Sequence, residues 1–293
     1  GKALISAGFV DAHMHYPQTA IIASWGKRLI DWLNTYTFPE ESRFGDPVHA
    51  RHAAETCLDL MLAHGTTTLC SFATIHPESV DALFTAAQAR GMRVLGGKTC
   101  MDRNAPDTLR DTAQSAYDDS KALLNRWHGV DRLSYVITPR FAPTSTADQL
   151  AALGALWAEH PECPMQTHLS EQHEEIAWVH ELFPTARDYL DVYESFGLLR
   201  ENGLYGHAIH LTTREPPARS GGGADPLPDL KRLHRLGALR HGRAQGRGPA
   251  RRSRHRHRRR LELFDAAHDG CGLRDRATAR HAAASLATVV ARH

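Results

Sequence analysis

The segment Gly8-Phe-Val-Asp-Ala-His-Met-His-Tyr-Pro-Gln18 places two histidines, His13 and His15, two residues apart at the end of an apolar run. On a strand, side chains at i and i+2 project to the same face, so two imidazoles at a strand end can grip one metal ion. A catalytic zinc needs imidazole or carboxylate ligands and one open position for water. His168 and His207 end two further strand-like stretches, and the three strand ends would converge at the mouth of a barrel. Glu171, three residues beyond His168, then stands close enough to serve as general base toward the attacking water. Bound metal brings the pKa of water from about 16 toward about 7, which makes hydroxide available at neutral pH. Arg140, flanked by Pro139 and Phe141 at another strand end, reads as a substrate contact. Of the other histidines, His64, His76, His173 and His210 read as surface or supporting residues, and Trp25 reads as core.

These side chains need elements to position them, and the first two thirds of the chain alternate strand-like and helix-like stretches. Residues 3–10 read as a buried parallel strand. Residues 66–72, β-branched and preceded by Gly65, read as a strand, with a helix over 47–63 ahead of it and Asp46 as its N-cap. The pattern continues with a helix over 79–90, a strand over 92–98, a helix over 108–127, a strand over 133–138, a helix over 146–159 and a short strand over 164–168. Helices over 171–182 and 186–193 and a strand over 204–207 complete it. About six strand–helix units predict an α/β fold of the TIM-type (β/α)8 barrel kind, incomplete here because its C-terminal strands are not recognisable. In such barrels function sits at the carboxyl ends of the strands.

The 293 residues, 42% hydrophobic and 23% charged, suffice for one large globular domain. Cys57, Cys70, Cys100, Cys163 and Cys271 form no C-x-x-C pair, which argues against a zinc ribbon and for reduced thiols in the cytoplasm. No signal peptide or apolar run of membrane-spanning length is recognisable. The first residue is Gly, so the sequence reads as starting inside a longer protein.

The residues quoted so far belong to a larger set: GFVDAHMHYPQ, DWLNTYTFPEE, HGTTTLCSFATIH, GGKTCMDRN, TPRF, THLSEQ and LYGHAIHL. Over residues 1–213 the chain resembles the guanine deaminase family of the amidohydrolase superfamily. The resemblance implies a cytoplasmic, homodimeric enzyme of purine catabolism with one zinc ion per chain that hydrolyses guanine to xanthine and ammonia. Carried across position by position, it implies His13, His15, His168 and His207 as metal-site histidines and Glu171 as the proton shuttle. Gln18, Arg140 and Phe141 correspond to purine contacts. Gln18 can donate to and accept from a purine edge, Arg140 can donate to the guanine carbonyl, and Phe141 can stack on the ring. The other zinc deaminase design pairs H-x-E with P-C-x-x-C, and that second half is absent.

The resemblance stops near Thr213. Acidic residues exceed basic ones by roughly ten before that point, and basic ones, nearly all arginine, exceed acidic ones by roughly twelve after it. Residues 214–293 show neither helical nor strand period, and only 275–290 have helical propensity. The family should continue with H-C-P-T-S-N and then A-T-D, whose aspartate is the last metal ligand, and neither motif is present. Both can be recovered one base out of frame. Residues 252–261 (RSRHRHRRRL) can be encoded CGG TCT CGC CAC CGA CAT CGG CGG CGG CTC, which from the second base reads G-L-A-T-D-I-G-G-G. Residues 225–231 similarly yield I-H-C-P-T-S, and 284–293 yield H-P-S-Q-L-W-W-L-A-T. Three matches in order and in one frame imply a frameshift near 214–219, in the gene or its sequencing. The expectation is a chain with weak zinc binding and little activity. The competing readings are a related amidohydrolase acting on another purine or pterin, and a nonfunctional fragment whose basic tail binds nucleic acid nonspecifically, with affinity falling steeply with salt.

Overall fold

A computed structural model describes residues 6–24 and 28–211. The expectations for the 214–293 tail, including the helix over 275–290, and those for Trp25 and Cys271 lie outside the described residues.

Among the described residues there are eight strand segments: β1 (Phe9–His15), β2 (Thr66–Phe72), β3 (Arg93–Gly97), β4 (Thr99–Cys100), β5 (Leu133–Tyr135), β6 (Thr138–Pro139), β7 (Met165–Leu169) and β8 (Gly203–His207). They occupy six successive positions of one parallel arrangement. β1 pairs with β2, β2 with β3, β3 with β5, β4 with β6, and β7 with β8, all parallel. A parallel bridge between Ile137 and Met165 joins β7 to the strands before it. Neighbours in space are therefore neighbours in sequence, as in a (β/α) barrel wound in one direction.

The helical segments between them are α1 (Leu29–Trp32), α2 (Phe38–Glu41), α3 (Pro47–Ala63), α4 (Pro77–Ala89), α5 (Ala113–Trp127), α6 (Ala147–Glu159), α7 (His173–Leu182) and α8 (Tyr189–Ser195). Caps set their starts. Asp46 accepts from the Val48 N–H at 2.9 Å and Pro47 opens α3, so this helix begins where the sequence predicts. Thr112 and Ser115 form a reciprocal capping box, which delays α5 to Ala113. Only a short 3-10 turn, Asp107–Leu109, precedes it where the sequence predicts continuous helix. Asp188 accepts from Asp191 N–H at 2.8 Å and likewise holds back α8 to Tyr189.

Two strand expectations need correction. The predicted buried strand over 3–10 is a strand over Phe9–His15 whose first residues face solvent: Phe9 is 41% and Val10 57% exposed. Among the described residues β1 pairs on one side only, with β2. The strands predicted over 92–98 and 133–138 are each broken in two. A Cβ on Gly97 would lie 1.7 Å from the Val136 carbonyl oxygen, so only glycine allows the two chains to approach at this break.

Tyr16, Leu58, Leu69, Phe84, Tyr135, Trp157 and Met165 lie in the main core. A second, smaller cluster of Leu33, Phe38, Ile75, Met101, Leu109 and Phe141 stands beyond the carboxyl ends of β2, β4 and β6. Between α1 and α2 a π-helical turn, Leu33–Thr37, feeds this cluster. It lets Leu33, Thr37, Phe38 and Glu41 all turn inward.

Lys98, in the β3–β4 break, is 1% exposed and ion-paired with Asp111. Asp111 also accepts from Gln149 Nε2 at 2.6 Å and from the Met101 N–H at 3.2 Å. Asp111→Ala would leave the buried ammonium with only the more distant, half-exposed Asp119 at 4.0 Å, and breaking a buried pair costs about 3–5 kcal/mol. Urea unfolding should show a loss of that size, whereas a loss under about 1 kcal/mol, the worth of an exposed pair, would contradict the buried arrangement. Cys57, Cys70, Cys100 and Cys163 are buried free thiols. Among the described residues no helix is long and apolar enough to cross a membrane.

Candidate active site

Three strand ends deliver the imidazoles. β1 closes on His13 and His15, β7 carries His168 one residue before its end, and β8 ends on His207. Ligand nitrogens of His13, His15 and His168 all lie within 4.8 Å of one another. The His15 and His168 Nε2 atoms are 2.9 Å apart. The His207 ring joins them, 5.0 Å from the His13 ring and 5.5 Å from that of His168, centroid to centroid. Gly206 makes room for this packing: a Cβ there would lie 2.6 Å from the His13 ring. Backbone strain marks the same place. Ser170, His207 and Ala208 have φ of 50°, 65° and 49°, values that L-residues adopt at a cost of about 1–3 kcal/mol each.

The ring of His168 is oriented by the chain. Its Nδ1–H donates to the Arg140 carbonyl at 2.6 Å, which leaves the lone pair on Nε2, directed at His15. Burial pushes the His168 pKa well below its ordinary 6.5, and the neighbouring His13 and His207 push it further down. The ring is therefore neutral at pH 7, the state a metal ligand requires. Converging imidazoles, one of them neutral and with its lone pair oriented, fit a borderline-soft divalent ion such as zinc.

The same shift sets a pH dependence. The unfolded chain takes up a proton on residue 168 near pH 6.5 and the folded chain does so only at lower pH, so stability is present above 6.5 and is lost as pH falls from there. Urea midpoints of the metal-free chain should fall between pH 6.5 and 5.5, and the fall should be smaller in His168→Gln.

Glu171 lies just past β7, its side chain 10% exposed, with Oε2 3.5 Å from His207 Nε2. Its backbone N–H donates to Glu175 Oε2 at 2.9 Å, which anchors the turn that carries it. The carboxylate thus stands beside the imidazole cluster, within reach of a water held there.

Arg140, just past β6, is 3% exposed and grips Glu41 with both terminal nitrogens, at 2.5 and 3.2 Å. Gln18, in the 3-10 turn after β1, donates from Nε2 to the same carboxylate at 3.2 Å. Phe141 is buried, its ring 6.4 Å from that of His168. The sequence reading did not single out Glu41, although it lies in the quoted DWLNTYTFPEE. Two adjacent glutamates after a proline read equally well as a solvated helix end. The one available signal is the aromatic spacing ahead of them, Trp32, Tyr36 and Phe38, which marks a segment with a face to bury. Of the histidines read as peripheral, His64 is exposed and His76 stands at the N-cap position of α4 without a side-chain capping bond. His173 and His210 pack against each other with ring centroids 4.0 Å apart.

Clustered imidazoles, an adjacent carboxylate and a buried guanidinium at the strand ends of an α/β barrel of parallel strands define the class of barrel hydrolases that work with a metal ion. The chain belongs to the amidohydrolase family, whose model matches residues 4–243. It is 49% identical over 212 residues to a guanine deaminase of Escherichia coli (strain K12), covering 72% of this chain and 48% of that protein. The solved structure of E. coli guanine deaminase superposes with a TM-score of 0.69 over 70% of this chain and 48% of that one. The structure of guanine deaminase from C. acetobutylicum with guanine bound in its active site is 33% identical, with a TM-score of 0.68 over 70% and 50%. The chain spans about half the length of the curated relatives it matches. The described residues thus form part of a TIM-type barrel.

Proposed function

We propose that this chain carries the metal- and base-binding half of a zinc-dependent guanine deaminase, which hydrolyses guanine to xanthine and ammonia. The observation that carries the reading is the meeting of His13, His15, His168 and His207 with Glu171 on one side and the Arg140–Glu41–Gln18 group beyond the same strand ends. The four imidazoles would hold one zinc ion per chain. Zinc supplies a water acidic enough to lose a proton near pH 7. Glu171 would accept that proton and pass it to the ring nitrogen beside the carbon that bears the amine, as oxygen adds to that carbon. It would then take the second proton of the added water, from the hydroxyl now on that carbon, and pass it to the amine as the carbon–nitrogen bond breaks, so that xanthine keeps one proton and ammonia leaves with the other. Arg140 donates to the guanine carbonyl, Gln18 bonds the ring edge and Phe141 stacks on the base. A homodimer acting in the cytoplasm belongs to the same reading.

Residues 214–293 supply no A-T-D motif in the printed frame, and we take the metal-site aspartate to be lost with it. Retained binding with impaired turnover follows. Calorimetry of the zinc-loaded chain should detect guanine binding, and an ammonia assay should show release near background. Absence of guanine binding would overturn the purine reading, and rapid ammonia release would overturn the impairment.

A further inference from the structure

The group behind the purine contacts has a consequence for which base the site accepts. We infer that Glu41 is the positioning residue that fixes the hydrogen-bonding polarity of Gln18, so that the site reads a purine edge with an N–H beside a carbonyl; this rests on the purine reading above.

A carboxylate paired with a guanidinium only accepts hydrogen bonds, so the part of the Gln18 amide that faces it must be the NH2 group. The contact runs from Gln18 Nε2 to Glu41 Oε1 at 3.2 Å. The amide is planar and the residue half-buried, so committing its nitrogen to Glu41 leaves its carbonyl oxygen as the group it can offer to a ligand. Gln18 then accepts from a ligand.

Glu41 is fully buried and Arg140 nearly so, and their two-point contact fixes the carboxylate plane. Phe38, on the same short helix as Glu41, packs its ring 5.6 Å from the guanidinium carbon and supports it from a second side. Arg140 has five donor hydrogens, so donors remain for a ligand acceptor after two are directed at Glu41. The pair thus offers an acceptor from Gln18 and a donor from Arg140. A 6-oxopurine presents the complement, N1–H beside C6=O. A 6-aminopurine presents the reverse, an acceptor N1 beside an amine, and meets two mismatches. Without a pure acceptor at position 41 the Gln18 amide is free to turn over and serve either edge.

The test uses the full-length, zinc-loaded chain with hypoxanthine and adenine, neither of which carries the 2-amino group, so deamination does not intrude. In the wild type the Gln18 side-chain NH2 resonances, assigned through Gln18→Ala, should exchange slowly with solvent, and hypoxanthine should bind more tightly than adenine by equilibrium dialysis. Glu41→Gln keeps the shape and removes the pure acceptor. It should speed that exchange and cut the hypoxanthine-to-adenine preference by about tenfold, the scale of one directed base-edge contact. A merely structural role would lower both affinities and leave their ratio intact. A rapidly exchanging Gln18 amide in the wild type, or an unchanged ratio in Glu41→Gln, overturns the inference. A slowly exchanging amide in a wild-type chain that binds neither base overturns the purine reading itself, and the specificity role with it.

Discussion

Replacing His168 by alanine is expected to lower zinc affinity by more than the about 10–100-fold that follows loss of an outer partner of a metal ligand. This ring is the best-prepared ligand of the set. It is buried, its Nδ1 proton is committed to the Arg140 carbonyl at 2.6 Å, and its Nε2 faces His15 at 2.9 Å. Its depressed pKa means that no proton need be displaced when metal binds at neutral pH. The substitution removes a ligand together with the ring that the Arg140 carbonyl orients, while that carbonyl keeps the backbone N–H of residue 168 at 3.1 Å and Thr167 Oγ1 at 3.4 Å. Competition against a chromophoric chelator reads the affinity directly. His64→Ala, at an exposed position after α3, should leave it unchanged. Equal zinc affinity in wild type and His168→Ala would remove this residue from the metal site.

Restoring the reading frame is the second large effect. A single-base correction of the coding DNA between codons 214 and 219, giving a chain with I-H-C-P-T-S and G-L-A-T-D-I-G-G-G, should raise guanine-dependent ammonia release by about 10²–10⁴-fold, the range that a correctly positioned proton-transfer apparatus contributes. The gain is expected because the recovered aspartate would add a ligand to the proposed metal site. The recovered segment would also supply family strands for β1 and β8, each of which pairs on one side only among the described residues, and open parallel edges are costly. A corrected chain as inactive as the printed one would contradict the frameshift account, as would coding DNA in which no single-base change yields both motifs.

Much of this arrangement was legible in the sequence, for identifiable reasons. β2 and α3 begin and end where predicted because their limits are written in local chemistry. Gly65 turns with φ of 85° between them, and Asp46 with Pro47 starts the helix. The imidazole cluster was legible because a period of two at a strand end leaves His13 and His15 little choice of face, and because His168 and His207 close strands with their own β signature. What was not legible depends on partners far away in the chain. The breaks of the third and fourth strands arise where Gly97 meets the Val136 backbone, and the exposure of Phe9 and Val10 depends on what lies beside β1. Glu41 is the sharpest case. Only the π-helical turn ahead of α2 and the guanidinium of Arg140, 99 residues away, make an ordinary acidic doublet into a buried group.

The account rests on four histidines from three strand ends sharing one metal. Zinc K-edge absorption of the full chain loaded with one equivalent of zinc tests this directly. The predicted spectrum shows imidazole scattering with nitrogen at about 2.0–2.1 Å, and its imidazole component shrinks in each of His13→Ala, His15→Ala, His168→Ala and His207→Ala. A shell containing sulfur at about 2.3 Å, or an oxygen-only shell indifferent to these substitutions, would contradict it.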